Sequence, residues 1–277
     1  MKLHLSKKDF LAVAALTLFL AAVGGLLWVG FGTHGLAVAA LVAFCVLLTG
    51  GVELHRRAVV RYDDTLNEIR TSYAQLEALA LLQSTLQPKL PFPASRGFAA
   101  SPDFLAQVVS VILTTSPRLV VELGSGLSTL VIGLALKKAG GGRLVSIEHD
   151  EDYYRETLAG LAAHGIDETI VEVRRAPLEK TAIGGESWSW YRVGELSDLE
   201  AIDLLVVDGP PSTTQPLARY PALPIFIDRL SESAQLVLDD GRRDEEKVIV
   251  ERWQREFTGI QTRYLDLEAG AFIVTLQ

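Results

Sequence analysis

From residue 10 to residue 52 the chain contains no Asp, Glu, Lys or Arg. A helix that crosses a bilayer needs ~20 apolar residues. The run holds two such lengths, 11–31 and 36–52, on either side of Gly32-Thr33-His34-Gly35. Two transmembrane helices joined by a very short turn are therefore expected over residues 1–52. A secretory signal peptide would share the basic start and the first apolar run. The second run, following at once, argues for an anchor that is kept. Lys2, Lys7 and Lys8 precede the first span, Arg56, Arg57 and Arg61 follow the second, and the turn is uncharged. The positive-inside rule then puts both termini, and everything beyond residue 52, in the cytoplasm. The expected localisation is the membrane, as a multi-pass protein.

The formal net charge is −8 although the N-terminus is basic, so the remainder is more acidic still. That balance argues against a nucleic-acid partner, which needs a basic face. The single cysteine, Cys45, lies inside the apolar run and excludes an intrachain disulfide framework or a cysteine-based zinc site.

Residues 53–87 have no Gly and no Pro, and Tyr62, Leu66, Ile69, Tyr73, Leu76 and Ala80 recur at steps of four and three. This is an a/d stripe on a helix. It suits either a helix packed on its own domain or a coiled-coil homodimer through this segment. Pro88, Pro91 and Pro93 end the helix and make residues 53–94 a linker helix with a stiff connector.

From residue 101 on, short apolar runs alternate with helical stretches. Ser101-Pro102-Asp103 has the composition of a helix start, with Ser101 as the capping hydroxyl. Strands are predicted over 118–123, 143–147, 169–173, 202–207 and 235–238. Helices are predicted over 128–139, 151–164, 216–231 and 244–257. Strands alternating with helices imply a parallel sheet covered on both faces. The runs 261–267 and 271–276, joined by Glu268-Ala269-Gly270, read as a terminal hairpin. The expected fold is α/β: a Rossmann-like sheet of seven strands, five parallel plus the hairpin, over residues 95–277.

Chemistry concentrates where these strands end. Glu122-Leu123-Gly124-Ser125-Gly126-Leu127-Ser128-Thr129 turns a strand into a helix. Glycines there allow close ligand approach, and the helix start offers free N–H groups. Thr129 stands where a dinucleotide fingerprint has its third glycine. Glu148, 22 residues after Gly126, ends the next strand and can accept from both hydroxyls of a ribose, or cap the following helix. His149 flanks an adenine or is merely solvated. Asp208 and the pair Asp239-Asp240 end two further strands, at the edge where open α/β sheets bind ligands. Three converging carboxylates would be relieved by a hard divalent cation. The alternative is that they cap loops and face solvent.

These motifs resemble those of class I S-adenosylmethionine-dependent methyltransferases over roughly residues 95–277. The resemblance implies that Glu122, Gly124, Ser125, Gly126 and Ser128 hold the methionine part of S-adenosyl-L-methionine, with Glu148 on the ribose and His149 near the adenine. Within that class, Asp208 with Asp239-Asp240 is similar to the magnesium-dependent O-methyltransferases, which implies Mg2+ at these three residues and Asp208 as the catalytic group. The chain departs from the catechol-type pattern at Asp240, where Asn is usual, and at Pro210 and Pro211, where no Lys follows Asp208.

Trp188, Trp190 and Tyr191, after Gly184-Gly185, are candidates to cover the adenine or stack on substrate, or else they anchor a loop. Arg96 and Arg219 are candidates for the substrate rim. Arg242 and Arg243, beside the acid pair, bind an anionic substrate or neutralise the acids. The expected activity is methyl transfer to an oxygen of a small or lipid-associated acceptor. A nucleotide-dependent oxidoreductase and a non-catalytic cofactor-binding scaffold are the alternatives.

Overall fold

The computed structural model describes residues 7–93, 95 and 99–276, with side chains from residue 15 on. Arg96 lies outside the described residues. The chain divides into two compact units, 1–70 and 71–277.

The first helix, α1, runs Lys7–Leu86 with one non-helical residue, Gly32 (φ 56°, ψ −136°). The expected turn over 32–35 shrinks to that residue, and the expected second span and linker helix are continuous. A Cβ built on Gly24 would lie 3.8 Å from that of Ala39. In a straight helix, at 1.5 Å per residue, the two residues would be about 22 Å apart. The arms therefore double back at Gly32 and lie against each other. Gly35 is required there, because a side chain on it would overlap the carbonyl of Leu27. Among the described residues one helix, counted as Ala15–Leu86, is long and apolar enough to cross a membrane.

The a/d stripe is not what packs the end of α1. Tyr62, Ile69, Tyr73 and Leu76 are each about 60% exposed. The face carrying Gln75, Leu82 and Leu86 is buried instead, and Gln75 Oε1 accepts the backbone N–H of Asp103 at 3.1 Å. Leu82 and Leu86 join the core formed with α2 (Pro102–Thr115) and α3 (Leu127–Ala139).

The sheet is built from β1 (Leu119–Leu123), β2 (Arg143–Glu148), β3 (Val171–Arg175), β6 (Ile202–Val207), β7 (Leu230–Asp239), β8 (Ile260–Leu265) and β9 (Ala271–Leu276). Their order is β3-β2-β1-β6-β7-β9-β8. Neighbours from β3 to β7 pair in parallel, and β9 runs antiparallel to both β7 and β8. All five residues of β1 are buried, as a central parallel strand requires. The sheet is built outward from β1 to β3 on one side and from β6 to β7 on the other, and that switch in strand order opens a crevice at the C-terminal ends of β1 and β6.

One face of the sheet carries α1's end, α2 and α3. The other is covered partly by a hairpin the sequence reading missed, β4 (Leu178–Ile183) with β5 (Glu186–Tyr191). Its two-residue turn, Gly184-Gly185, has positive φ at both positions. That is the geometry whose twist suits a tight hairpin. Gly-Gly before the alternation Ser187-Trp188-Ser189-Trp190 was the readable signal.

The helix expected over 216–231 reduces to α5 (Ala222–Phe226) and one further turn, and β7 starts at Leu230. Pro216, Pro221 and Pro224 withhold the N–H groups that a longer helix needs. Helix α4 (Glu151–His164) is capped by Asp150, which accepts from the N–H of Asp152 and Tyr153. That frees Glu148 from the capping role. Ser101 does not cap α2 with its own hydroxyl. It donates to Asp103 Oδ1, which also takes the N–H of Phe104. The last long helix is α6 (Asp244–Glu256).

Candidate active site

Gly124 follows β1 with φ +94°, and a Cβ there would sit 3.1 Å from the backbone N of Gly209. The loops after β1 and β6 therefore touch backbone to backbone at this point. Gly124→Ala is expected to push them apart, lowering both thermal stability and ligand affinity, as calorimetry on the purified variant would register.

Glu122 is fully buried at the end of β1. Its Oε2 accepts from Thr129 Oγ1 and from Ser146 Oγ, each at 2.6 Å. Ser128 points the same way and is itself buried. Oε1 has no partner. Burial drives the carboxyl up to about 7, against the nearby hydroxyls of Ser128, Ser146 and Thr129, which favour the ionised form. Ser146 and Thr129 were not foreseen. Ser146 is paired with Glu122 across β1 and β2, and a lone serine inside an apolar strand was the available clue.

Glu148 is likewise buried, at the end of β2. Its Oε2 accepts from the N–H of Ser125 (2.8 Å) and from Ser125 Oγ (3.1 Å). Its Oε1 accepts from the N–H of His149 and Asp150, and His149 Nδ1 lies 2.9 Å away. Burial raises its pKa, but the bonds from His149, Asp150 and Ser125 outweigh it and hold the group below the ordinary range. One neutral-prone acid and one firmly ionised acid thus flank Gly124-Ser125-Gly126. Nothing stands over Gly126 where a side chain would be.

The hydroxyl of Tyr191 is buried, has no hydrogen-bond partner among the described residues, and reaches the Cα side of Gly209 between the two loops. Its ring meets that of His149 edge-on at 6.1 Å. Trp188 and Trp190 take no part in the crevice. Trp188 stacks on Tyr220 at 4.8 Å, and Trp190 packs edge-on against Tyr191 at 5.1 Å. Both tryptophans belong to the core under the sheet, so the loop-anchoring alternative holds for them.

Beyond Asp208 a cavity of about 490 Å3 opens, lined by residues that include Tyr153, Ser212, Thr213, Asp239, Asp240 and Arg243. Among the described residues, no group of three His, Cys, Asp or Glu is arranged to hold a metal ion. The three aspartates do come together, but around Arg219, which is 4% exposed. Arg219 Nη2 lies 3.1 Å from Asp208 Oδ1 and 2.9 Å from Asp240 Oδ2. The donor set does not fit the magnesium site the sequence suggested, because two of its oxygens already face one guanidinium nitrogen. Arg219 is thus no outer rim residue but the centre of the acid cluster. Asp208 is raised to about 6, by burial first and by Asp240, with Arg219 and Arg243 opposing. Asp239 is likewise held well above the ordinary carboxylate range, by burial and by Asp208 and Asp240.

Residues 121–241 match a family described as a methyltransferase domain. No curated protein sequence matches the chain. Among solved structures, the methyltransferase PaMTH1 of Podospora anserina, bound to S-adenosylhomocysteine, superposes with a TM-score of 0.54 at 14% identity, covering 76% of this chain and 95% of that one. The O-methyltransferase of Bacillus cereus, also with S-adenosylhomocysteine, gives 0.49 at 14% identity, covering 74% and 91%. TomG of Streptomyces achromogenes, an O-methyltransferase with S-adenosylmethionine, gives 0.48 at 17%, covering 73% and 90%. At such identities the likeness is one of fold. The domain beginning near residue 95 thus has a Rossmann-like methyltransferase fold, and residues 121–241 of it match the methyltransferase-domain family.

Proposed function

We propose that this protein transfers the methyl group of S-adenosyl-L-methionine to an oxygen of a small or lipid-associated acceptor at the cytoplasmic face of a membrane. The observation that carries the reading is Glu122. It is a fully buried carboxyl beside the glycine loop, tied down on one oxygen and, among the described residues, without a hydrogen-bond partner on the other. A buried acceptor without a donor is costly. The ammonium of the cofactor's methionine would supply the donor and favour the ionised acid. Glu148 is rigidly held and ionised, and suits ribose hydroxyls. The cofactor supplies an electrophilic methyl group.

The chain's own part is to position the acceptor and take its proton. Asp208 lines the cavity, and a carboxyl raised to about 6 is ionised at neutral pH while remaining a competent base. The rate of methyl transfer is therefore expected to rise as pH increases through about 6, and Asp208→Asn to remove most of it, in assays on a panel of hydroxyl acceptors.

The membrane part rests on exposed apolar side chains. Leu26, Val29 and Phe31 are all more than 70% exposed, and only 6% of the most apolar window of α1 is buried. Water does not tolerate such a surface, and lipid would cover it. The basic flanks favour both arms of α1 entering from the cytoplasm. The exposed stripe from Tyr62 to Leu76 favours pairing of two copies.

Calorimetry of the full-length protein in detergent tests the cofactor reading. S-adenosylmethionine and S-adenosylhomocysteine are expected to bind and NAD not to, with binding lost in Glu148→Ala. A folded protein that binds neither sulfur compound would sink the proposal.

A further inference from the structure

The cluster around Arg219 calls for a cation, and the chain supplies its own. Arg219 Nη2 donates to the carbonyl of Asp208 (2.8 Å) and to Asp208 Oδ1 (3.1 Å), and contacts Asp240 Oδ2 at 2.9 Å. Nη1 donates to the carbonyl of Asp239 at 3.1 Å and lies 3.8 Å from Glu246 Oε1. Glu246, on α6, is itself 2% exposed. A second guanidinium, Arg243, closes on Asp240 Oδ2 at 2.8 Å and faces Glu246 Oε1 at 3.9 Å.

Asp240 adopts φ +61°, a left-handed conformation rare for a residue with a side chain. Such a conformation persists only where surrounding contacts fix it. Here the N–H of Asp240 goes to Asp239 Oδ1, its carbonyl accepts the N–H of Arg243, and its carboxylate meets both arginines. Asp239 Oδ1 accepts the N–H of Asp240 at 2.7 Å.

We propose that Arg219 is the resident cation of the acceptor cavity, filling with its guanidinium the place that the aspartate pattern would otherwise give to a divalent ion, and fixing Asp208 and Asp240 there. A hard ion needs several oxygens at about 2.0–2.6 Å. Asp208 Oδ1 and Asp240 Oδ2 converge on Nη2 instead. An incoming ion would have to displace a buried guanidinium held by two carbonyls and two carboxylates. Arg219 is a positioning residue: it acts through Asp208, leaving that side chain at the cavity wall with one oxygen engaged. The proposal deepens the reading of this cavity as the acceptor site. It concerns which charge the cavity uses, and it can be tested without knowing the acceptor.

The test uses the full-length chain in detergent, as wild type, Arg219→Lys and Arg219→Ser. Bound Mn2+ is read by electron paramagnetic resonance and thermal unfolding is followed with and without the ion. S-adenosylhomocysteine binding is measured on the same samples. Wild type and Arg219→Lys are expected to leave Mn2+ free and their melting temperatures unmoved. Arg219→Ser should bind about one Mn2+ per chain and be stabilised by it, as preferential binding to the folded state requires. Adding Asp240→Asn to it should abolish both effects. Stoichiometric Mn2+ binding by wild type that disappears in Asp240→Asn would overturn the proposal. So would a folded Arg219→Ser that ignores the ion. Should that variant not fold, the wild-type and Lys arms still decide. Failure to bind S-adenosylhomocysteine would count against the methyltransferase reading alone and leave the metal result standing.

Discussion

Glu122→Gln is expected to weaken S-adenosylmethionine binding while making the cofactor-free protein more stable at pH 8. The loss follows from replacing a charged acceptor for an ammonium with a neutral amide. Hydrogen bonds to charged groups contribute roughly 1.5–3 kcal/mol, or about 10–100-fold in affinity. The gain in stability follows from linkage. The folded-state pKa of Glu122 is raised from 4.5 to about 7 by burial. Between those values the native state binds more protons than the unfolded chain, so stability falls as pH rises through that window and stays low above it. A shift of this size corresponds to about 3 kcal/mol. Glutamine removes the ionisation, so the variant's advantage should be large at pH 8 and small at pH 5. Melting curves at the two pH values, with calorimetric titration of the cofactor, check both halves. A variant that binds normally, or whose advantage is the same at pH 5 and pH 8, would contradict the assignment.

The second large effect concerns where the domain begins. Leu82 is 1% exposed and Leu86 7%, both in the core with α2 and α3. Leu82→Ala should cost about 2–5 kcal/mol, the range for emptying a buried leucine site. A fragment starting at residue 88 loses both leucines and the Gln75 bond to Asp103. It should melt well below one starting at residue 71, or fail to fold. Urea unfolding of the two fragments would measure the difference. Equal midpoints would mean that the last turns of α1 are dispensable.

That boundary shows where sequence reading stops. The stripe Tyr62, Ile69, Tyr73 and Leu76 is the more regular pattern, yet it stays exposed while Gln75, Leu82 and Leu86 pack. Periodicity reports that a helix is amphipathic. Which face meets the domain depends on a surface made by α2, remote in sequence. The β4–β5 hairpin was legible from Gly184-Gly185 and the Trp-Ser alternation. The shortened helix near Ala222 was legible from its prolines.

In the site, the sequence determined which acids end which strands. Strand ends follow from local apolar runs, and the spacing from Gly126 to Glu148 is one helix and one strand. It also determined the alternation of strands and helices, and hence the parallel sheet. Three things were left to the tertiary structure. Glu122 and Ser146 meet only because β1 and β2 pair in that register. Trp188 and Trp190 are core because the hairpin folds under the sheet. Arg219, far along the chain from Asp239 and Asp240, lies between them and Asp208 because the loop after β6 folds back over the ends of β6 and β7. Local sequence specifies which groups are available and on which element. Their charges meet, repel or cancel only at distances set by packing, and a guanidinium brought in by a loop can occupy the place that the acids alone would assign to a metal.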